Sequence, residues 1–255
     1  MFNLMIDLES LALDNNAIIP QIGFLIFDEH YLPCGELCVN IDITSSLMDG
    51  FNVDPKTIKF WRDQDTAVVN SVLYSEPRLK PRLAAQLIDK WIKDTFKGED
   101  FMIWANGILF DVPKIDNLMT RYGLSPLTSH TRYNNIHDFR TLRNTAKALY
   151  PAQYEHANSI IKNESTHNAL ADCYWQLETL GAIMQILSGD YHLVKQNESV
   201  PPTTDKEPKI QEWESNKEPE IKEWEEVENS GDFLEHVYGE TEQQDEFEPI
   251  PVNSI

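Results

Sequence analysis

Near its start the chain carries Phe2-Asn-Leu-Met-Ile-Asp7-Leu-Glu9-Ser10, a short apolar run that ends in two carboxylates. In a strand, side chains alternate between faces, so Asp7 and Glu9 project from the same face. Two anions held side by side repel, and one pKa rises unless a cation neutralises the pair. Hard carboxylate oxygens are the donors that Mg²⁺ and Mn²⁺ prefer. The same residues also suit a strand that simply runs out into a polar loop, because Asp-x-Glu is a short and common pattern. What separates the two readings lies further along the chain.

A chain of 255 residues with 41% hydrophobic content can bury one good core, which predicts one domain of catalytic size. The sequence has no apolar run of about 18 residues, and its start lacks a basic segment followed by an apolar stretch and a small-residue cleavage site. A soluble, unexported protein with no membrane partner is expected, in the cytoplasm. Cys34, Cys38 and Cys173 are odd in number and form no Cys-x-x-Cys pair. Neither a disulfide framework nor a structural zinc site is therefore predicted, and a reducing compartment fits.

The net charge of −21 is unevenly spread: Gln196 to Ile255 holds 18 acidic and 4 basic residues, a net of −14. Prolines, serines and glutamates concentrate there and aliphatic residues are few, a composition that does not offset the entropy of ordering. The expected organisation is a folded domain over 1–195 and a disordered acidic tail over 196–255. Within the tail, Lys206-Glu-Pro-Lys-Ile-Gln-Glu-Trp213-Glu returns as Lys217-Glu-Pro-Glu-Ile-Lys-Glu-Trp224-Glu, an eleven-residue repeat in two copies. Two copies are too few for a solenoid. They suit either a solvating tail or a motif that orders its Ile and Trp on a protein partner.

Along the domain, Ala17 to Phe27 and Gly35 to Ile43 read as strands that complete an antiparallel meander with the first. Asp54-Pro55 is a helix start, with Ile58, Phe60 and Trp61 as its apolar side. A helical stretch from Val68 to Tyr74 follows. Leu83, Leu87, Ile88, Trp91 and Ile92 then recur at helical spacing before a stop at Gly98. Phe101 to Ala105 predicts a fourth strand, leading through Asn106-Gly107 into a helix marked by Ile115, Leu118 and Met119. Ile136 to Phe139 predicts a short fifth strand and a helix to about Leu149. Tyr150 to Thr166 shows no period and is expected to be a loop. The last helix spans about Asn168 to Leu187, with Leu170, Cys173, Leu177, Leu180 and Met184 on its core side and Gly189 as its end. Three strands followed by strands alternating with helices is a mixed α/β pattern.

Asp111 stands where the fourth strand hands over to a helix, a usual place for site residues in α/β sheets, although a first-turn acid also interacts with the helix dipole. His167 and Asp172 flank the start of the last helix. Five residues turn the chain about 140° beyond a full circle, so His167 is expected in the loop before the helix, either reaching across to the carboxylates or simply exposed.

The ordered set Asp7-x-Glu9, Asp111, and His167-x-Ala169-x-x-Asp172 resembles the DEDDh family of 3′-to-5′ exonucleases, over about residues 1 to 187. Trp104-Ala-Asn106-Gly107-Ile-Leu-Phe110-Asp111, Trp61 with Gln64, and Asp138-Phe-Arg140-Thr141 look like the branch that holds the phage exodeoxyribonuclease DexA and related bacterial exoribonucleases. One residue more than in the commoner family pattern separates Asn106 from Phe110. The resemblance implies a ribonuclease-H-like fold: a mixed five-stranded sheet, three strands as an antiparallel meander plus two parallel ones, flanked by helices. It also implies a catalytic set of Asp7, Glu9, Asp111, His167 and Asp172, with the four acids holding two divalent ions, Mg²⁺ or Mn²⁺, and His167 as general base. Asp7 would bridge both ions, Glu9 and Asp172 would complete the first, and Asp111 would serve the second. The expected reaction removes nucleoside 5′-monophosphates from the 3′ ends of single-stranded nucleic acid, DNA favoured and RNA the alternative; a phage-encoded enzyme would act in the host cytoplasm. The rival from another class is an inactive nucleic-acid-binding or adaptor protein.

For substrate contact the candidates are Trp61, Gln64, Asn106, Phe110 and Arg140. Arg140, Arg143 and Lys147 fall at helical spacing and form either a substrate-facing basic stripe or a solvated face. Phe60, Trp61 and Arg62 place stacking surface next to charge, though a tryptophan at such a position also suits core packing.

Overall fold

The computed structural model describes residues 1–163 and 167–192, all within one compact unit, Met1–Leu193. The acidic tail, its repeat and its expected disorder lie outside the described residues.

The first strand, β1 (Asn3–Glu9), is the middle of a five-stranded sheet. On one side it pairs antiparallel with β2 (Gln21–Phe27), which pairs antiparallel with β3 (Pro33–Asn40). On the other side it pairs parallel with β4 (Met102–Ala105), which pairs parallel with β5 (Ile136–Asp138). The order is β3-β2-β1-β4-β5, a mixed sheet made of an antiparallel meander and two parallel strands, as expected. The central strands are apolar on both faces because both are covered: every residue of β2 is buried, whereas β3 at the edge alternates with solvent.

Eight α-helices among the described residues complete the domain, with short 3-10 turns at Leu127–His130 and Tyr133–Asn135. They are α1 (Ile43–Met48), α2 (Pro55–Arg62), α3 (Thr66–Val69, continued by a π-helical turn over Asn70–Tyr74), α4 (Pro81–Phe96), α5 (Ile108–Arg121), α6 (Phe139–Leu149), α7 (Pro151–Ile160) and α8 (Ala169–Ser188). Met5, Leu25 and Phe27 on one face of the sheet pack with Phe139 and Ala146 of α6 and with Cys173, Leu177, Leu180 and Ile183 of α8. The opposite face is met by α4, where the Phe24 and Trp91 rings lie 5.7 Å apart.

Four expectations change. The apolar run from Ala17 becomes strand only at Gln21, because Pro20 supplies no backbone donor for the ladder; Ile18 and Ile19 are nevertheless buried. The third strand ends at Asn40 rather than Ile43, since Asp42 caps α1 by accepting from the Ser45 amide at 2.7 Å. The stretch after Tyr150 holds α7, with Pro151 in its first turn; only Ala157 is buried along it, so no apolar period marks it. Finally, Phe60 and Leu87 face solvent, and Leu170 and Met184 are only partly covered, the buried side of α8 being Ala169, Cys173, Gln176, Leu177, Leu180, Ile183 and Ile186.

Candidate active site

Strand alternation puts Met5, Asp7 and Glu9 on the face that α8 covers. Antiparallel register sets Gly23 opposite Asp7, and there α8 begins. The fit is tight: a Cβ at Gly23 would stand 2.5 Å from the carbonyl carbon and oxygen of Ala169. Gln21 fastens the same helix end by accepting from the Ala169 amide at 2.9 Å, and the Cys173 thiol donates to the Gly23 carbonyl at 3.4 Å. Asn168 caps α8 by accepting from the Ala171 amide at 3.1 Å. Asp172, in the first turn, is thereby brought over the carboxyl end of β1.

One carboxylate oxygen each from Asp7, Glu9 and Asp172 then lies within 4.8 Å of the others. Asp7 and Asp172 are half-buried and Glu9 is 8% exposed. Only neutral donors are seen on these acids: Gln176 Nε2 donates to Asp7 Oδ1 at 2.7 Å, and the Asn163 amide donates to Asp172. No lysine or arginine forms an ion pair with the three among the described residues. Burial and the charges of Asp111, Glu9 and Asp172 push the Asp7 carboxyl well above its ordinary range. Burial, then Asp172 and Asp111, raises Glu9 to about 8. Burial also raises Asp172, against the pull of its Asn163 bond and of His167. Three crowded oxygen donors that no lysine or arginine among the described residues pairs with fit a hard divalent ion, which would replace the protons they otherwise hold.

Asp111 is outside that oxygen triad but close enough for its charge to raise Asp7 and Glu9. It lies in the first turn of α5, 3% exposed, behind Gly107, whose φ of 116° turns the chain from β4 into the helix. Burial lifts Asp111 to about 7, and Lys114 and Arg140 hold it from rising further.

Lys114 is one of two buried polar residues beside the acids that the sequence does not mark. It is fully buried, its ammonium donating to the Leu13 carbonyl at 3.0 Å and the Phe110 carbonyl at 3.3 Å, and lying 3.3 Å from the Phe110 ring centroid. It therefore ties the loop after β1 to the helix that carries Asp111. Gln176 is the other, although its place four residues after Asp172 on the inner side of α8 was an available signal.

His167 precedes α8 in a left-handed conformation, φ 63°, with its backbone N–H directed to the Asp172 carboxylate. Its ring stands edge-on to Phe60 and Trp61, at centroid separations of 5.2 Å and 6.0 Å. The tryptophan is itself a core residue, 1% exposed, whose indole donates to the Ser10 carbonyl at 3.1 Å. Trp61 thus backs the histidine, and Phe60, 42% exposed, is the ring beside it that reaches solvent.

The remaining candidates are partly dispersed. Gln64 uses its amide on the Phe60 carbonyl at 3.1 Å. Arg140 donates to the Asn106 carbonyl at 2.8 Å, next to Gly107, while Asn106 Oδ1 is buried with no hydrogen-bond partner among the described residues. Arg143 lies over the Phe139 and Trp175 rings, and Lys147 lies near Tyr154 and pairs with Glu155 at 3.4 Å. Of the basic stripe, Arg140 is the residue whose charge acts on one of the acids, Asp111.

The profile of the 3′-5′ exoribonuclease Rv2179c-like domain family matches residues 2–184. The chain belongs to this family. No curated protein matches it. Among solved structures, the Rv2179c-like domain is similar to E. coli exonuclease I in complex with a dT13 oligonucleotide, with 16% identity, a TM-score of 0.56, and coverage of 74% of this chain and 43% of that one. It is likewise similar to exonuclease I from Methylocaldum szegediense, with 15% identity, a TM-score of 0.54, and coverage of 72% and 40%. The chain spans less than half the length of these proteins. At such identity the likeness is one of fold, and it agrees with the ribonuclease-H-like sheet expected from the sequence. No helix among the described residues is long and apolar enough to cross a membrane.

Proposed function

We propose that this chain is a metal-dependent 3′-to-5′ exonuclease that hydrolyses the terminal phosphodiester of single-stranded nucleic acid and releases nucleoside 5′-monophosphates. The observation that carries this reading is the meeting of the Asp7, Glu9 and Asp172 oxygens within 4.8 Å, inside a domain of an exonuclease family. Asp7, Glu9 and Asp172 would hold one divalent ion, and Asp7 with Asp111 would hold a second, Mg²⁺ or Mn²⁺ in each place. Such ions supply stabilisation of the negative charge that develops on the phosphoryl oxygens and on the leaving 3′ oxygen. His167 takes the proton of the attacking water at a ring nitrogen, its orientation set by the edge-on rings of Phe60 and Trp61. Arg140 stands beside Asn106 and Gly107 where a phosphate can be met. Asn106 brings an unpartnered acceptor for a hydroxyl or amino group of the terminal nucleotide.

RNA is the substrate that the family description favours. DNA is favoured by the oligonucleotides held by fold neighbours, dT13 and dA16, but at 16% and 13% identity these carry less weight than a match over residues 2–184. A 5′-labelled single strand with Mg²⁺ or Mn²⁺ should shorten stepwise, and matched RNA and DNA strands should give the faster rate on RNA. An intact strand with both ions and folded protein would leave the adaptor reading in place of the enzyme. A faster rate on DNA would change the substrate and keep the chemistry.

A further inference from the structure

Gln176 is 1% exposed, on the side of α8 that otherwise buries Cys173, Leu177 and Leu180. A buried amide loses favourable hydration unless hydrogen bonds replace it. Here one replacement is made, Nε2 to Asp7 Oδ1 at 2.7 Å, and Oε1 has no partner among the described residues. With Asp7 ionised, as a bound cation requires, the amide turned over would set two acceptor oxygens face to face. An apolar side chain would fill the same position without stranding an acceptor, so packing alone does not account for a glutamine.

We propose that Gln176 is a positioning residue that fixes the Asp7 carboxylate for cation binding. The chemistry of the donor suits that task. A lysine or arginine in its place would form an ion pair, cancel the charge on Asp7 and compete with the ion. A neutral amide locks the carboxylate rotamer while leaving its full charge and its second oxygen available. The helix supports the same conclusion, because Asp172 and Gln176 are one turn apart on α8 and both reach β1. One rigid element thus delivers a ligand and also holds the ligand that faces it.

This inference rests on the cation-binding reading of the carboxylates, and the experiment separates the two. Calorimetric titration of the metal-free protein with Mn²⁺ is compared among the native chain, Gln176→Met and Gln176→Leu. If the native chain binds no Mn²⁺, the cation reading itself fails. If it binds, both variants should remain folded with little change in melting temperature and should bind Mn²⁺ about 10- to 100-fold more weakly, the usual effect of losing a residue that orients a ligand. Their kcat should recover as Mn²⁺ is raised, with the KM for the oligonucleotide unchanged. Folded variants with native Mn²⁺ affinity would overturn the proposal. So would unfolding of both, which would make the amide a structural requirement.

Discussion

At the scale of single residues, the site joins groups that are unfavourable apart from their function. Glu9 and Asp111 are held near 8 and 7 by burial and like charge, several units above ordinary carboxyls, and Asp7 and Asp172 are raised with them. Replacing Asp7 by Asn should reduce turnover to background and weaken Mn²⁺ binding, since it removes a ligand shared by both proposed ions. Replacing His167 by Ala should slow hydrolysis by roughly 10²- to 10⁴-fold, the usual worth of a general base, and leave Mn²⁺ affinity unchanged. Single-turnover rates and calorimetry on the two variants test the division of roles, and equal loss of metal affinity in both would contradict it. The convergence of Asp7, Glu9 and Asp172 was legible in the sequence because these acids stand in an ordered pattern at the end of a strand and the start of a helix. Lys114 and Gln176 were not, because each lies in the covered part of a helix where periodicity predicts an apolar side chain. Trp61 was ambiguous for a related reason: a helix turn offers an aromatic either to the core or to a substrate, and only tertiary packing decides.

At the scale of elements, the placement of α8 on β2 determines whether the site exists. Gly23→Ala puts a methyl group into the backbone of Ala169 and should lower unfolding stability by roughly 1–3 kcal/mol, as overpacking does, with Mn²⁺ binding lost as α8 shifts. Chemical denaturation together with calorimetry measures both effects; a variant as stable and as tightly metal-binding as the native chain would show that the helix has room to adjust. Elements with strong periods, β1, β4, α4 and α8, could be read from sequence. The exceptions have local causes. Pro20 delays β2, Asp42 starts α1 inside what looks like a strand, and α7 has too little buried surface to leave a pattern.

For the whole molecule, the raised carboxyls couple stability to pH and to metal. Without metal, the folded state binds more protons than the unfolded chain between about pH 4, where unfolded carboxyls titrate, and about pH 7 to 8, where Asp111 and Glu9 titrate in the fold. Their contribution to stability therefore declines as pH rises across this window and levels off above it. Thermal melts of the metal-free protein should show the loss, and the gain on adding Mn²⁺ should be larger at pH 8 than at pH 5. A gain independent of pH would mean that the ion does not replace these protons. The tail adds a separate effect. Removing residues 196–255, with their net charge of −14, should leave a folded domain and raise its apparent affinity for single strands at low salt, a gain that shrinks as salt is added. Unchanged affinity in a low-salt binding assay would assign the repeated Ile and Trp motif to a protein partner instead.

The hydrogen bond between Asp7 and Gln176 spans 169 positions of sequence, and Asp172 stands just before the second of them. Synthesis runs from the N-terminus, so β1 leaves the ribosome with its two acids long before the helix that completes their arrangement. A chain made only as far as β1 has Asp7 and Glu9 but not the Asp172 that completes their cluster of oxygens. On the proposed function, cleavage would therefore have to wait until α8 has emerged and docked on β1.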